Sequence, residues 1–133
     1  VTTKKPCAQP FPPNSMQLQE KTMLEDKWNA YAKTWSLPDS DRPTALRDLV
    51  SEDVTYTDPQ TAITGKGAFS AHIGQFQKDV PGGYFEILSV NAHHDRTLAN
   101  WRMCKDRAGE VMRGTSYATL NEAGQFTSFT GFY

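Results

Sequence analysis

A carboxylate and an imidazole are the groups in this sequence whose placement could support proton transfer. Asp58 ends a run of β-branched and aromatic residues that predicts a strand over residues 53–58. Pro59 ends the strand because it has no N–H to donate to a neighbouring strand. His72 lies beside the apolar stripe of the next predicted helix, residues 66–79. With both side chains facing one interior, Asp58 would act as a general base and His72 would assist it.

Both residues also have a purely structural interpretation. An Asp at the end of a strand often accepts hydrogen bonds from backbone N–H groups, and Asp58 would then stabilise the turn before Gly65. A helix histidine such as His72 can rest at the edge of an apolar cavity without taking part in chemistry. The sequence leaves both interpretations open.

The elements around these two residues predict an α+β domain. A helix over residues 16–35 has an apolar stripe at Leu24, Trp28, Tyr31 and Trp35, and a short helix containing Leu46, Leu49 and Val50 follows. After residue 83 the apolar period changes from 3.6 to about 2. This change predicts four antiparallel strands, 84–93, 97–105, 111–120 and 126–133. Helices gathered on one side of such a sheet bury the Trp-rich helix only if the sheet curls around it.

Alternation along each strand separates the side chains that would face the inside of a curled sheet from those that would face outward. The last strand has phenylalanines at spacing three, which violates period two and predicts a bulge or burial on both faces. A buried tyrosine hydroxyl needs a partner, so Tyr31 and Tyr56 are expected to hold the polar end of a ligand together with Ser116. The expected ligand contacts are Trp28, Tyr56, Phe76, Phe85, Trp101, Met103, Ser116 and Phe132.

Other chemistry is not indicated. His93, His94 and Asp95 predict a surface turn, because adjacent strand residues point to opposite faces and the two histidines would not chelate one ion. Ser116 has no adjacent base on its own strand, so a Ser-His-Asp hydrolase is not expected. The sequence contains no phosphate loop, nucleotide fingerprint or GxSxG motif. We therefore expect no metal and no cofactor.

Composition and charge exclude several partners. The chain has 133 residues, 38% hydrophobic and 22% charged, with a net charge of −1. These values are typical of a globular domain and give no electrostatic basis for binding nucleic acid or a membrane surface. No apolar run approaches the roughly 20 residues of a membrane span, and no apolar leader is visible. The sequence leaves the compartment open and favours the cytoplasm over secretion.

The N-terminal residues 1–15 contain four prolines and little apolar surface. They predict an extended arm, followed by one domain over residues 16–133. Two cysteines, Cys7 and Cys104, form neither a disulfide framework nor a zinc spacing. They are interpreted as free thiols, and a bridge between them that fixes the arm is the alternative.

Several motifs together resemble the SnoaL-like branch of the NTF2-like superfamily. They are EDVTYTDP at 52–59, the Gly65–Gly67 turn, AHHD at 92–95, the strand around Trp101, and Gly124 with Thr130-Gly131-Phe132 near the end. The resemblance spans residues 16–133. It implies a cone-shaped α+β barrel with a deep apolar cavity and dimerisation through the outer face of the sheet. Members of the family include polyketide cyclases, ketosteroid isomerases, dehydratases and non-catalytic ligand binders, so fold alone does not give function.

The family's catalytic residues match this sequence in part. In the ketosteroid isomerases, whose catalytic carboxyl groups have tuned pKa values, the general-base Asp precedes a Pro, as Asp58 does here. Tyr31 is the nearest equivalent of their oxyanion tyrosine. Ser116 stands where isomerases and cyclases both carry an Asp, and a serine donates a hydrogen bond but does not exchange protons near neutral pH.

Three functions follow as hypotheses. The first is a cofactor-free isomerase, lyase or cyclase acting on a small apolar cyclic or carbonyl-bearing molecule, with Asp58, His72 and Tyr31 as catalytic residues. The second is a non-catalytic small-ligand binder of the same fold, which the serine at position 116 favours. The third is an assembly module that uses the sheet face containing Arg102, Arg113 and Tyr117.

Overall fold

Three helices and six strands make up the protein in the computed structural model, which describes residues 15–133. The helices are α1 (Ser15–Thr34), α2 (Arg42–Arg47) and α3 (Lys66–Asp79). The strands are β1 (Val50–Asp58), β2 (Thr61–Thr64), β3 (Gly83–His93), β4 (Arg96–Lys105), β5 (Gly109–Leu120) and β6 (Phe126–Phe132). The predicted arm lies outside the described residues except for Ser15.

The six strands form one open, curved, mixed sheet in the order β2-β1-β6-β5-β4-β3. β1 and β6 are parallel, and every other neighbouring pair is antiparallel. α1 packs along β3, while α3 packs on β1 and β2, so the helices close the concave side. This arrangement confirms the predicted cone-shaped α+β fold.

Local bulges curve the sheet and set which side chains face inward. The β5–β6 register passes from Thr119↔Ser128 to Leu120↔Phe126, which leaves Thr127 as an extra residue. An extra residue bends its strand and shifts the alternation by one position. Phe126 and Phe129 are therefore both buried although they are three residues apart. The bulge predicted from this spacing is confirmed.

Two predicted element boundaries were wrong. Leu49 and Val50 were assigned to the second helix, but α2 ends at Arg47 and Val50 begins β1. The segment before Gly65 was interpreted as a turn, whereas Thr61–Thr64 forms strand β2, which pairs with the end of β1. Pro59 and Gln60 form the two-residue loop of a short hairpin between β1 and β2. Because β2 is only four residues long, its apolar pattern was too short to indicate a strand.

Within residues 15–133, no helix has the length and apolar character that crossing a bilayer requires. Cys104 is buried and forms no disulfide with any described residue, while Cys7 lies outside the described part of the chain.

Candidate functional site

A cavity of about 340 Å³ lies inside the cone, between the concave face of the sheet and helices α1 and α3. Its volume falls within the range of small-molecule sites, roughly 300–1,000 Å³. The wall is mainly aromatic and aliphatic, and a few polar side chains interrupt it. The lining residues are Trp28, Tyr31, Ala32, Trp35, Tyr56, Asp58, Gln60, His72, Gln75, Phe76, Asp79, Val80, Phe85, Ile87, Trp101, Met103, Met112, Ser116, Gly131 and Tyr133.

The Asp58 carboxylate uses its two oxygens differently. Oδ1 accepts hydrogen bonds from the backbone N–H groups of Gln60 (2.8 Å) and Thr61 (3.0 Å), and so holds the β1–β2 turn. Oδ2 accepts a hydrogen bond from the Tyr56 hydroxyl at 2.8 Å. An ionised carboxylate offers about four acceptor positions. Three are therefore occupied, and one remains for a ligand in the cavity.

Three tyrosines experience the negative charge of Asp58. Burial raises the pKa of Tyr56 far above its usual value, and Tyr31 and the Asp58 carboxylate raise it further. Burial also raises the pKa of Tyr31 strongly, and the charge of Asp58 adds to this. The pKa of Tyr133 is raised by the same two causes. All three phenols therefore stay protonated at neutral pH and act as hydrogen-bond donors rather than bases.

Tyr31 is held in place by two stacked aromatic neighbours that also contact each other. It stacks on Phe129 with ring centroids 4.2 Å apart and on Phe69 at 6.2 Å. Its side chain is 7% exposed, and no described residue accepts a hydrogen bond from its hydroxyl. Rigid stacking thus presents a donor to the cavity.

Ser116 receives its hydrogen bond from an indole. The Nε1–H of Trp101 donates to Ser116 Oγ at 3.0 Å. Trp101 reaches Ser116 by lying across Gly114, its partner in the β4–β5 ladder. An indole N–H only donates, so the oxygen of Ser116 is the acceptor in this contact.

His72 lies on the face of α3 that borders the cavity. Its ring contacts Trp35 edge-on at 5.8 Å and Tyr56 at 5.2 Å. Among the described residues, the side-chain hydrogen bond to Asp58 comes from the Tyr56 hydroxyl and not from His72. The same face of α3 continues through Gln75, whose amide donates to Asp79 at 2.9 Å.

Ten of the eleven residues proposed for the site from the sequence lie in the cavity wall. The exception is Phe132, which is 60% exposed. The bulge at Thr127 places Phe129 and Gly131 on the inner face, so alternation turns Phe132 outward and Tyr133 inward. The placement of the other ten does not test their roles, which stay predictions.

Several wall residues were missed by sequence reasoning. Gln75 and Asp79 follow His72 at i+3 and i+7, and this helical spacing could have identified them. Gly131 and Tyr133 follow from alternation only once the bulge is known. No Lys or Arg lines the cavity among the described residues, whereas Asp58 and Asp79 do.

His93 and His94 differ in one respect from the arrangement expected from the sequence. His94 adopts a left-handed conformation with φ of 54°, and the Nδ1 atoms of His93 and His94 lie 3.0 Å apart in an exposed turn. The surface turn was predicted, but the expectation that strand alternation separates the two rings was wrong because His94 is not in a strand. Across residues 15–133, no three His, Cys, Asp or Glu side chains converge as a metal site would require.

Solved structures with similar folds come from several bacteria. A proposed isomerase of the SnoaL-like family from Agrobacterium tumefaciens is 23% identical, with a TM-score of 0.78, covering 84% of this chain and 97% of that one. A proposed polyketide cyclase from Sinorhizobium meliloti is 17% identical, with a TM-score of 0.66 over 84% and 97% of the two chains. An NTF2-like protein of unknown function from Mesorhizobium loti is 16% identical, with a TM-score of 0.64 over 92% and 95%. At these identities the likeness shows the fold alone.

Comparison of sequences gives the family. No curated protein sequence matches this chain significantly. The model of the SnoaL-like domain matches residues 29–129, which is well over half of the chain. This match includes β1 with Asp58, helix α3, and the strands of the cavity wall up to Phe129. The chain belongs to the SnoaL-like family.

Proposed function

We propose that this protein binds a small, neutral, largely apolar molecule with a carbonyl group and transfers a proton on it without a cofactor, as an isomerase, lyase or cyclase. The observation that carries the proposal is the Asp58 carboxylate. It has one free acceptor position and lies in an apolar cavity whose nearest polar groups are neutral donors. A carboxylate in such surroundings is suited to general-base catalysis.

The charges of the wall favour a neutral ligand. Asp58 and Asp79 are negative, and no Lys or Arg of the described chain compensates them within the wall. A carboxylate or phosphate group on the ligand would meet repulsion without a counter-ion. The aromatic side chains supply the apolar contact area that a cyclic molecule needs.

The proposed step is proton abstraction next to the carbonyl. Asp58 takes the proton from the α-carbon, and the electron pair of the C–H bond moves onto the carbonyl oxygen to form an enolate. The hydroxyls of Tyr31 and Ser116 donate hydrogen bonds to that oxygen. Return of the proton to another carbon, expulsion of a β-substituent or attack on a second carbonyl completes an isomerisation, elimination or cyclisation. His72 assists by donating to the polar end of the ligand.

Solvent exchange tests this proposal without knowledge of the natural substrate. 1-Tetralone, a bicyclic neutral ketone, is incubated with the protein in D₂O, and deuterium at its α-carbon is followed by NMR. We expect exchange above the uncatalysed rate, and a loss of about 100-fold or more in Asp58→Asn. The Asn carbonyl can still accept from the N–H groups of Gln60 and Thr61, so the turn is expected to persist.

Asp79→Asn is the matched control, because it removes the same charge from the same cavity wall. It is expected to leave the exchange rate close to that of the unmodified protein. Equal exchange in Asp58→Asn and in the unmodified protein would contradict the role of Asp58. Equal losses in the two variants would indicate an effect of net charge rather than of a base.

A non-catalytic binder is the second candidate. Its support is Ser116, a group that donates but does not exchange protons at the position where related cyclases and isomerases carry an Asp. The capping role of Asp58 Oδ1 also supports it. This function predicts saturable binding of 1-tetralone with exchange no faster than in buffer.

We also propose a homodimer that pairs through the outer face of the sheet, as the resemblance implies. On this face Arg102 forms an ion pair with Glu86 at 2.6 Å, and Arg113 forms one with Glu110 at 2.9 Å. Phe132 is exposed nearby, next to Thr115 in the ladder. Charged groups with an exposed aromatic residue among them are suited to a specific interface.

A further inference from the structure

Gly131 occupies the middle of a row of three inward-facing residues on neighbouring strands. In the β5–β6 ladder it is the partner of Ser116. β6 pairs with β1 through Thr130 and Thr57, so Asp58 flanks Gly131 on the other side. A Cβ atom added to Gly131 would lie 3.6 Å from Asp58 Cβ and 3.9 Å from Ser116 Oγ. The missing side chain thus leaves a space between a carboxylate and a hydroxyl.

The fold itself does not require glycine at this position. Gly131 is not among the residues with positive φ, and the contacts of an added Cβ are at ordinary van der Waals distances. Glycine within a strand costs stability relative to alanine. Gly114, another glycine on this face, differs, since an added Cβ would lie 2.5 Å from Trp101 Cη2 and 2.8 Å from the carbonyl oxygen of Phe132. Packing explains Gly114 but not Gly131.

The hydrogen bond from Trp101 determines what Ser116 can offer to this space. Ser116 Oγ accepts from the indole at 3.0 Å, and no described residue accepts from the Ser116 hydroxyl. The proton of that hydroxyl is therefore available to an acceptor in the cavity. On the opposite side, Asp58 Oδ2 can only accept. A group placed over Gly131 thus meets a donor on one side and an acceptor on the other.

We propose that Gly131 determines the ligand class, because the space above it receives the carbonyl end of a neutral, enolisable ketone. Trp101 has a positioning role: its N–H donates to Ser116 Oγ, so the Ser116 hydroxyl acts as the donor to the ligand. The inference rests on the proposed function and deepens it. The carbonyl oxygen accepts from Ser116, and the acidic α-C–H points to Asp58. A carboxylate in this space would be repelled by Asp58.

The test compares two ligands with the same ring system. Binding of 1-tetralone and of tetralin, which lacks the oxygen, is measured by quenching of tryptophan fluorescence in the unmodified protein and in Gly131→Ala. We expect the unmodified protein to prefer the ketone by about tenfold, the effect of one net hydrogen bond. In Gly131→Ala we expect this preference to disappear while tetralin binds as before. Gly67→Ala, the same substitution on α3 with open space around it, is the control.

Trp101→Phe tests the positioning role. The phenyl ring can still cover Gly114, but Ser116 loses its donor and its hydroxyl becomes free to accept. The ratio of affinities for 1-tetralone and 1-tetralol, the corresponding alcohol, should then shift toward the alcohol. A purely structural role of Trp101 would weaken both ligands equally and contradict the assignment.

The outcomes separate this inference from the function on which it rests. Retention of the ketone preference in Gly131→Ala overturns the inference, and Asp58-dependent deuterium exchange in the unmodified protein would still support the function. Equal binding of the two ligands by the unmodified protein also overturns the inference. Absence of binding for both ligands overturns the proposed function for this ligand class, and the inference with it.

Discussion

The two ends of the cone are built from the same strands but filled differently. At the packed end, Phe126 and Phe129 are at most 1% exposed, and their ring centroids are 4.9 Å apart. Gly131 lies two residues after Phe129 on the same inner face of β6, at the hollow end. It has no side chain to fill the space there, and it borders the cavity. The smaller side-chain volume at Gly131 therefore contributes to the cavity at this end of the cone.

The largest expected effect comes from emptying the packed end. Phe129→Ala should lower the free energy of unfolding by about 3–5 kcal/mol, since it removes a fully enclosed ring. Phe85→Ala, at the cavity wall, should cost roughly half of that, because Phe85 is only partly buried and already borders empty space. Urea unfolding of both variants measures the difference. Equal losses would contradict the distinction between the two ends.

Gly114 and Gly131, both on the inner face of the sheet, differ in the space around them. Gly114→Ala should destabilise the protein by about 1–3 kcal/mol, because the new methyl group overlaps Trp101 and the backbone of Phe132. Gly131→Ala should change stability by less than about 1 kcal/mol. Thermal unfolding checks this order, and a reversed order would refute the assignment of open space to Gly131.

The buried phenols predict how stability depends on pH. In the unfolded chain a tyrosine loses its proton near pH 10, whereas burial raises the pKa of Tyr31 and Tyr56 well beyond that in the folded protein. Above about pH 10 the folded state thus binds more protons, and the free energy of unfolding falls by about 1.4 kcal/mol per pH unit for each tyrosine. Below that pH these two groups give no slope.

Urea unfolding between about pH 9 and 11 tests this slope. The double variant Tyr31→Phe, Tyr56→Phe should show a shallower decline, because it lacks both phenols. An unchanged slope would indicate that the hollow end is as accessible to water as the outer surface.

The smallest effect on stability is expected at the outer face of the sheet. Arg113→Glu breaks an exposed ion pair with Glu110, so the free energy of unfolding should change by less than about 1 kcal/mol. If two copies pair through this face, the substitution should lower the sedimentation coefficient without changing binding of 1-tetralone. An unaltered sedimentation coefficient would argue against the proposed dimer surface.

Local patterns in the sequence determined most of the elements and the inner faces of most strands. The stripe of Trp28, Tyr31 and Trp35 needs only the helical period, and Tyr56 and Asp58 share a face because strands alternate. Period and alternation are properties of a few consecutive residues, so they are visible without the fold. Pro59 likewise marked the end of β1, but the patterns did not settle whether Asp58 faces the interior, because that depends on strand register.

Only the tertiary structure decided the features that depend on distant pairing. The bulge at Thr127 turned Phe132 outward, and the parallel pairing of β1 with β6 brought Gly131 between Asp58 and Ser116. The Tyr56 hydroxyl, rather than His72, became the side-chain partner of Asp58. Register between strands is set by packing across the whole sheet, and a shift of one residue reverses every side chain. The sequence thus determined which residues could do chemistry, and the register decided which of them meet.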